Sequence, residues 1–398
     1  MLARHNGQVV LVSGTIPGER VSARVERSTR GVVYAETVEV LSASPDRREA
    51  TADWKCGGNA LAHIRYERQV ALKAEIIQDG FRRIGRLPLA QAPEVIASPE
   101  HGYRMRARIH ARDGRLGFFR EASHELCDPA VTGQLLADTI AWLTALETAI
   151  QRQRLEGLTA IEVAENIPAN ERAVHFELQP GVDPSAFQQL ADPTGSVTDV
   201  LHVRDGDPGS ALTLRRGVRA FFQSNRFLLE RLLRHVVPLV PAGPIVDLYA
   251  GVGLFGLSLA AAGADEVTLV EGDRASSEDL LRNAAPFGAR VDVHRASVET
   301  FLRSARTPRD GTFVVDPPRT GMSKDALAGM VQKKPARIVY VSCDVATLAR
   351  DARTLIDAGY DIRQITGFDL FPNTAHVETV AVLESADRSS SELSSSRG

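Results

Sequence analysis

The sequence predicts an α/β chain: a C-terminal doubly wound, Rossmann-like parallel sheet, a central α+β region and a small N-terminal β-barrel. Three observations carry this. From Pro244 onward the short apolar runs IVDLY, EVTLVEG, TFVVDPP and RIVYVSC alternate with helical segments, the βαβ rhythm of a covered parallel sheet. Residues 7–41 instead read as three or four short strands, with turn signals at Pro17-Gly18 and Gly31. Between these two stretches, strand-like and helical patterns mix. A chain of 398 residues has room for two or three domains. The divisions fall at 1–45, 46–205 and 206–386, and the tail 387–398 is too poor in hydrophobic residues to pack.

The N-terminal runs GQVVLVSGTI, ERVSARVER and GVVYAETVEVL alternate apolar and polar residues. A closed barrel takes about five strands. The module therefore reads as short at its start, with a strand missing or a start codon further upstream. Residues 45–60 are a loop rich in breakers. The run ALAHIRYERQVALKAEIIQDGFRRIG then carries apolar residues at helical spacing, and its part near 61–90 is expected to pack on the C-terminal domain. In HGYRMRARIHARDGRLGFFR, Met105, Ala107 and Ile109 alternate with Arg104, Arg106 and Arg108, and Asp113-Gly114 signals a hairpin. Residues 131–160 read as helix. Residues 161–240 are mixed, with a helix near 221–237.

With 43% hydrophobic and 24% charged residues, the composition excludes collagen-like, coiled-coil and wholly disordered chains. No uncharged apolar stretch reaches about 18 residues, so no membrane span and no membrane partner are expected. The first residues, MLARHNGQVV, lack a secretory core. Three cysteines cannot build a disulfide framework and fit a reducing cytosol, hence a cytoplasmic protein. The net charge of −3 is unevenly spread: Trp54 to Arg120 holds 13 basic and 6 acidic residues, eleven of the basic ones arginines. An arginine ladder beside Tyr103, Phe118 and Phe119 would suit an RNA backbone with splayed bases. The competing reading is a half-exposed strand laced with ion pairs.

The segment PIVDLYAGVGLFG runs a strand into Asp247, then Gly251, Gly253 and Gly256, then an apolar helix. Glycines there let the backbone turn tightly and approach a ligand. The next strand ends in Glu271, placed to accept hydrogen bonds from ribose hydroxyls. Dinucleotide enzymes share such a turn, and a tight βα turn needs no ligand at all. The D-x-x-x-G-x-G spacing nevertheless resembles the first motif of class I S-adenosylmethionine-dependent methyltransferases.

Three later residues fit one chemistry. Asp316 opens Asp-Pro-Pro-Arg at the end of strand TFVV, Cys343 ends strand RIVYVSC, and Glu378 lies near the end of the fold. Carbon 5 of uracil is a poor nucleophile. A thiolate adding to carbon 6 activates it, and a base must then remove the carbon-5 proton. Taken singly, Cys343 reads as a small buried hydrophobe, Glu378 as a surface carboxylate and Asp316 as a turn former. Together with the glycine turn they read as a site.

These residues closely resemble the uracil-5 RNA methyltransferase family, which makes 5-methyluridine in tRNA and ribosomal RNA. The resemblance spans nearly the whole chain. PGERVSARVE, AETVEVL and SPDR look like the TRAM barrel, an RNA-binding module, and GFFREASHEL looks like the family's central segment. FFQSN, DLYAGVGLFG, VEG, DPPR, VYVSCDVATLARD and HVETVAVLE follow in the family's order. By position, the resemblance implies Cys343 as nucleophile and Glu378 as proton-abstracting base. It implies Gln223, Tyr249, Gly251, Glu271 and Asp316 around S-adenosylmethionine, with Tyr249 packing on the donor, Glu271 holding its ribose, and Gln223 and Asp316 reaching toward donor and uracil. The implied partner is RNA, ribosomal ahead of tRNA, bound by a monomer. An amino-group methyltransferase, which needs no Cys343, and an RNA-binding protein with a vestigial site are the other readings.

The chain departs from the family in two places. Many TRAM-bearing relatives hold a 4Fe–4S cluster through Cys-x5-Cys-Gly-Gly-Cys and a distal Cys. Here Ala50, Cys56 and Asn59 occupy those first three positions, and Cys127 is an early candidate for the fourth. Two thiolates do not make a four-cysteine site. No iron–sulfur cluster and no other metal are expected, and Cys56 reads as a leftover or packing residue. In FPNT, Asn373 stands where many relatives have His, keeping a polar side chain.

Overall fold

The computed structural model describes residues 1–386 apart from 51, 122, 191–194, 205 and 305–309. The expected tail at 387–398 lies outside the described residues.

Four strands form the N-terminal sheet: β1 (Leu2–His5), β2 (Gln8–Ser13), β3 (Arg20–Thr29) and β4 (Val32–Ser42), in the order β1-β2-β4-β3. The first was not among the runs read from the sequence. Asn6 (φ 48°) and Gly7 (φ 79°) form a two-residue turn that pairs His5 with Gln8, and Asn-Gly is the strongest short hairpin signal. At the base of the sheet Glu19 accepts hydrogen bonds from Arg47 Nε (2.6 Å) and the Ile16 N–H (2.9 Å). Burial alone would push Glu19 up, but these bonds and that of Ser44 outweigh it and hold it at about 2.

Helix α1 (Tyr66–Gly80) starts six residues later than the apolar pattern suggests and continues as one π-helical turn, Phe81–Gly85. Strand β5 (Val95–Ile96) follows. The central region contains β6 (Arg106–Arg112), β7 (Arg115–Phe119), β8 (Leu126–Cys127), α2 (Ala137–Arg152), β9 (Leu158–Glu165), β10 (Arg172–Leu178) and the short α3 (Ser185–Gln188). Its five strands are antiparallel, in the order β10-β9-β6-β7-β8. Met105, Ala107 and Ile109 are buried, and Asp113 and Gly114 make the hairpin turn with positive φ. The aromatic half of the ladder reading needs correction. Tyr103 and Phe118 are core residues: Phe118 faces inward from β7, and Tyr103 is buried in the segment before β6. Of the three, only Phe119 faces outward, where it stacks on His110 with ring centroids 3.6 Å apart. Arg106 pairs with Glu162 (3.6 Å) on the neighbouring β9, and Arg108 reaches Glu177 (2.5 Å) on β10, one strand further.

The cysteines also differ from expectation. Cys56 and Cys127 are joined in a disulfide, their Cα atoms 6.1 Å apart and 71 residues distant in sequence. The backbone bridge between Cys56 and Arg120 brings the breaker-rich loop against the central sheet. Both cysteines are buried among Leu116, Phe118 and Leu135. Cys56 is therefore a core packing residue, as expected, and also one end of a cross-link, which was not expected.

The remaining chain comprises β11 (Ser196–His202), β12 (Ala211–Gly217), α4 (Leu229–Val236), β13 (Ile245–Leu248), α5 (Leu254–Ala261), β14 (Val267–Val270), α6 (Arg274–Ala284), β15 (Val291–His294), α7 (Val298–Ser304), β16 (Thr312–Val315), α8 (Lys324–Lys333), β17 (Arg337–Ser342), α9 (Val345–Asp357), β18 (Tyr360–Phe368) and β19 (Glu378–Ser385). Helix α4 is shorter than the 221–237 pattern because 221–228 forms an irregular loop. Strands β15-β14-β13-β16-β17-β19-β18-β5 make one eight-stranded sheet. It is parallel except for β19, which runs against both neighbours. Strand β5 pairs with β18, so the segment that precedes the central strands completes the C-terminal sheet. One apolar cluster, with Val314, Val339, Val341 and Val380, fills one face; a second, with Val315, Ile338, Tyr340 and Ala381, fills the other. Among the described residues no helix is long and apolar enough to cross a membrane.

Candidate active site

Strand β13 lies between β14 and β16, where the chain order reverses; open α/β sheets bind ligands beyond the strand ends at such a point. Strands β14, β13, β16 and β17 are parallel and finish at one edge. Glu271, Tyr249, Asp316 and Cys343 are each the first residue past their strand. Because β19 is antiparallel, its first residue, Glu378, lies at the same edge. The register pairs Ser342 with Thr379, and its next step sets Cys343 opposite Glu378. Directly opposed residues on antiparallel strands bring their Cβ atoms within about 5.5 Å. Side chains alternate along a strand, so Cys343 shares a face with Val341, Glu378 with Val380 and Asp316 with Val314, all in the same cluster.

On the β13–β14 side the backbone does the holding. Glu271 accepts the Gly251 N–H (2.7 Å) on one carboxylate oxygen and the Asp273 N–H (2.6 Å) on the other. Burial raises its proton affinity and these bonds oppose the rise. A Cβ at Gly251 (φ 57°) would meet no atom within 4 Å, so the turn borders open space. At Gly256 a Cβ would fall 2.2 Å from Leu269 and 2.9 Å from the Asp247 carboxylate. That close approach lets the Gly256 N–H donate to Asp247 (2.7 Å). Asp247 is fully buried, and burial pushes it up to about 8 against that hydrogen bond.

Tyr249 adopts φ 64°, which breaks the strand alternation. Its side chain packs against the second cluster, on the face opposite Asp316 and Cys343. Burial raises its hydroxyl, with Glu299 and Asp351 adding to the effect. The structure thus brings Gln223, Gly251, Glu271, Asp316, Cys343 and Glu378 to one face, and turns the Tyr249 ring away from it.

Asp316 accepts a hydrogen bond from Gln223 Nε2 (3.3 Å); burial lifts it to about 7 against that bond. Glu378 is almost wholly buried, and its Oε1 has no hydrogen-bond partner among the described residues. Burial, then the nearby Asp316, raises it well above the carboxylate range, with Arg319 opposing. Cys343 is the free cysteine; burial, then Glu378 and Asp316, push its thiol up to about 11 against the pull of Arg319. Two carboxyls and a thiol crowd one pocket, which favours keeping protons on them until something positive arrives.

Sequence reading missed Asn225 and Arg319. Asn225 donates to Ser98 Oγ (2.8 Å) and the Leu370 carbonyl (3.2 Å), and its carbonyl oxygen accepts the Leu228 N–H (3.1 Å). It fixes the loop that carries Gln223 to the loop before Glu378. Both residues lie inside motifs already quoted, FFQSN and DPPR, so inspecting every polar position of those motifs would have found them. Asn373 holds its own loop: it is buried, at φ 63°, and accepts hydrogen bonds from Gln69 Nε2 (2.9 Å) and Arg48 (3.1 Å).

The donor set suits a nucleoside carrying a sulfonium: the Glu271 carboxylate at the end of β14, open space beyond Gly251, and Asp316 with Gln223 at the end of β16. Fold and site together define an S-adenosylmethionine-dependent methyltransferase. Residues 162–386 match the family model described as tRNA (Uracil-5-)-methyltransferase, and residues 1–38 match the TRAM domain. The 23S rRNA (uracil(1939)-C(5))-methyltransferase RlmD of Azoarcus sp. (strain BH72) is 34% identical over 421 residues, covering 96% of each chain. An uncharacterized RNA methyltransferase of Streptomyces avermitilis is 31% identical over 414 residues, covering 96% of this chain and 94% of the relative. The structure of Pyrococcus abyssi tRNA (uracil-54, C5)-methyltransferase in complex with S-adenosyl-L-homocysteine superimposes with a TM-score of 0.74 at 26% identity, covering 94% of each chain. The chain belongs to the tRNA (uracil-5-)-methyltransferase family and is an RNA uracil-C5 methyltransferase.

Proposed function

We propose that this enzyme forms 5-methyluridine in 23S ribosomal RNA by covalent catalysis from Cys343, with Glu378 as the base. The observation that carries this reading is the opposition of Cys343 and Glu378 across adjacent strand ends, with Asp316 on the next strand. Residues 1–45, the TRAM-like module, and 46–205 hold the RNA, and 206–386 perform the transfer. The target base must leave its stack to reach the strand ends.

The Cys343 thiolate adds to carbon 6, forming a sulfur–carbon bond and moving the C5–C6 electron pair onto carbon 5. Asp316, with its proton affinity near neutral, is suited to take the thiol proton. Glu271, Gly251, Gln223 and Asp316 would hold S-adenosylmethionine, which would supply an electrophilic methyl group to carbon 5, the methyl–sulfur bond breaking to leave neutral S-adenosylhomocysteine. The Glu378 carboxylate then accepts the carbon-5 proton. The electron pair left behind restores the double bond as the C6–S bond breaks, and Cys343 departs as thiolate. Burial makes Glu378 a stronger base than an exposed carboxylate.

Ribosomal RNA is favoured by the RlmD-named relatives and the TRAM match. To test this, unmodified 23S ribosomal RNA and tRNA transcripts are each incubated with S-adenosylmethionine, digested and assayed for 5-methyluridine by mass spectrometry. Product from the ribosomal transcript, absent with Cys343→Ala, is expected. Product on tRNA alone would overturn the substrate, and product from Cys343→Ala would overturn the covalent step.

A further inference from the structure

Glu378 is brought to its position by the loop 369–377, which joins β18 to β19. Nothing in the side chain's own surroundings fixes Oε1. The loop, by contrast, is held at three points. Asp369 forms a buried ion pair with Lys73 and accepts a hydrogen bond from Tyr66 Oη (2.9 Å). The Phe371 carbonyl accepts a second bond from Lys73 Nζ (2.9 Å). Asn373 exchanges two hydrogen bonds with the Gln69 amide (both 2.9 Å), while its carbonyl accepts the Leu61 N–H (2.8 Å).

Tyr66, Gln69 and Lys73 occupy positions i, i+3 and i+7 of α1, which is one face of a helix. A face at this spacing normally buries apolar residues. Here Gln69, Lys73 and Asp369 have no exposed surface. A buried ion pair is a weak source of stability, because desolvating two charges offsets their attraction. Such a network is therefore better explained by what it orients than by what it stabilises. It also reaches the donor side of the site, since Asn225 bonds the Leu370 carbonyl two residues beyond Gln223.

We propose that the polar face of α1, with Lys73 at its centre, is a positioning device that fixes the loop 369–377 and thereby sets Glu378 opposite Cys343 for removal of the carbon-5 proton. This rests on the reading of Glu378 as base. Lys73 touches no reacting atom, and its effect is on the final step. A displaced base leaves addition and methyl transfer in place and slows elimination, so enzyme bound covalently to methylated RNA accumulates.

The test compares wild type, Lys73→Met, Tyr66→Phe and Glu378→Gln on whichever unmodified transcript, 23S ribosomal RNA or tRNA, the wild type methylates. Three quantities are read: turnover, thermal midpoint, and the fraction of enzyme that migrates with RNA on a denaturing gel with a donor-derived methyl label. Lys73→Met is expected to lower kcat about tenfold with KM for RNA unchanged, and to raise the labelled adduct by a similar factor. Tyr66→Phe removes one hydroxyl and is expected to shift both in the same direction by about two- to threefold, giving a readout should Lys73→Met fail to fold. Loss of turnover without added adduct in Tyr66→Phe and in any folded Lys73→Met overturns the inference. If Glu378→Gln itself accumulates no adduct, the base assignment fails instead. If it accumulates adduct and the α1 variants do not, only the positioning inference fails.

Discussion

The two halves of the site are built in opposite ways. On the side proposed for the donor, Asp247, Gly251, Gly256 and Glu271 lie within 25 residues of sequence and hold one another through backbone N–H groups. On the side proposed for uracil, Asp316, Cys343 and Glu378 span 63 residues, and the loop before Glu378 is gripped from residues 61–73 and from Asn225. A binding pocket for a common small molecule can be made from one βα turn and the next strand end. A pocket that must present a nucleophile and a base to opposite ends of one C–C bond needs strands aligned by register. The difference separates what tolerates a local change from what depends on the whole sheet.

Substitutions are therefore expected to act on one half at a time. The largest effect is expected from Glu378→Gln: turnover falls by about 10²–10⁴, the range for losing a general base, while labelled adduct still forms. Unaltered turnover would break the comparison at its centre. A smaller effect is expected from Glu271→Ala, which removes the acceptor that joins the two backbone turns. KM for S-adenosylmethionine should rise about tenfold with KM for RNA unchanged, as measured by initial rates against each substrate. Equal change in both constants would show that the halves are coupled. The mildest effect concerns Cys343 itself. Its thiol is pushed up to about 11 by burial and then by Glu378 and Asp316. Alkylation by iodoacetamide should therefore rise with pH beyond the usual thiol range. In Glu378→Gln one negative neighbour is gone, so the profile should move to lower pH. A profile that stays put would mean that Glu378 does not act on the thiol.

The same contrast explains what could be read from the sequence. The glycine turn, Glu271, strands β13, β14, β16 and β17 and the inward residues Met105, Ala107 and Ile109 follow from local spacing, and the structure has each where that spacing puts it. Cys343 and Glu378 could be named, but their opposition depends on β19 running antiparallel, which no local pattern encodes. Strand β15 escaped because VDVH is short and half polar. Strand β1 escaped although Asn6-Gly7 announced it. Tyr103 and Phe118 looked available for bases because alternation alone does not say which side another element covers. The polar face of α1 was hidden for the same reason: Tyr66, Gln69 and Lys73 look like a solvated stripe until Asp369 and Asn373 arrive from some 300 residues away.

The opposed direction of β19 has a consequence for insertions and deletions. Ala375 and His376 are exposed, so an added residue there disturbs no core, but it loosens the tie between the gripped Asn373 and Glu378. Within Glu378–Ser385 no slack exists, because β17 and β18 pair with the strand on both sides. One residue gained or lost there reverses the parity of every side chain before it, and a carboxylate that faced the thiol would face the other core. A length change at the tip of the loop thus costs the placing of one carboxylate, and two residues later it costs the parity of the strand.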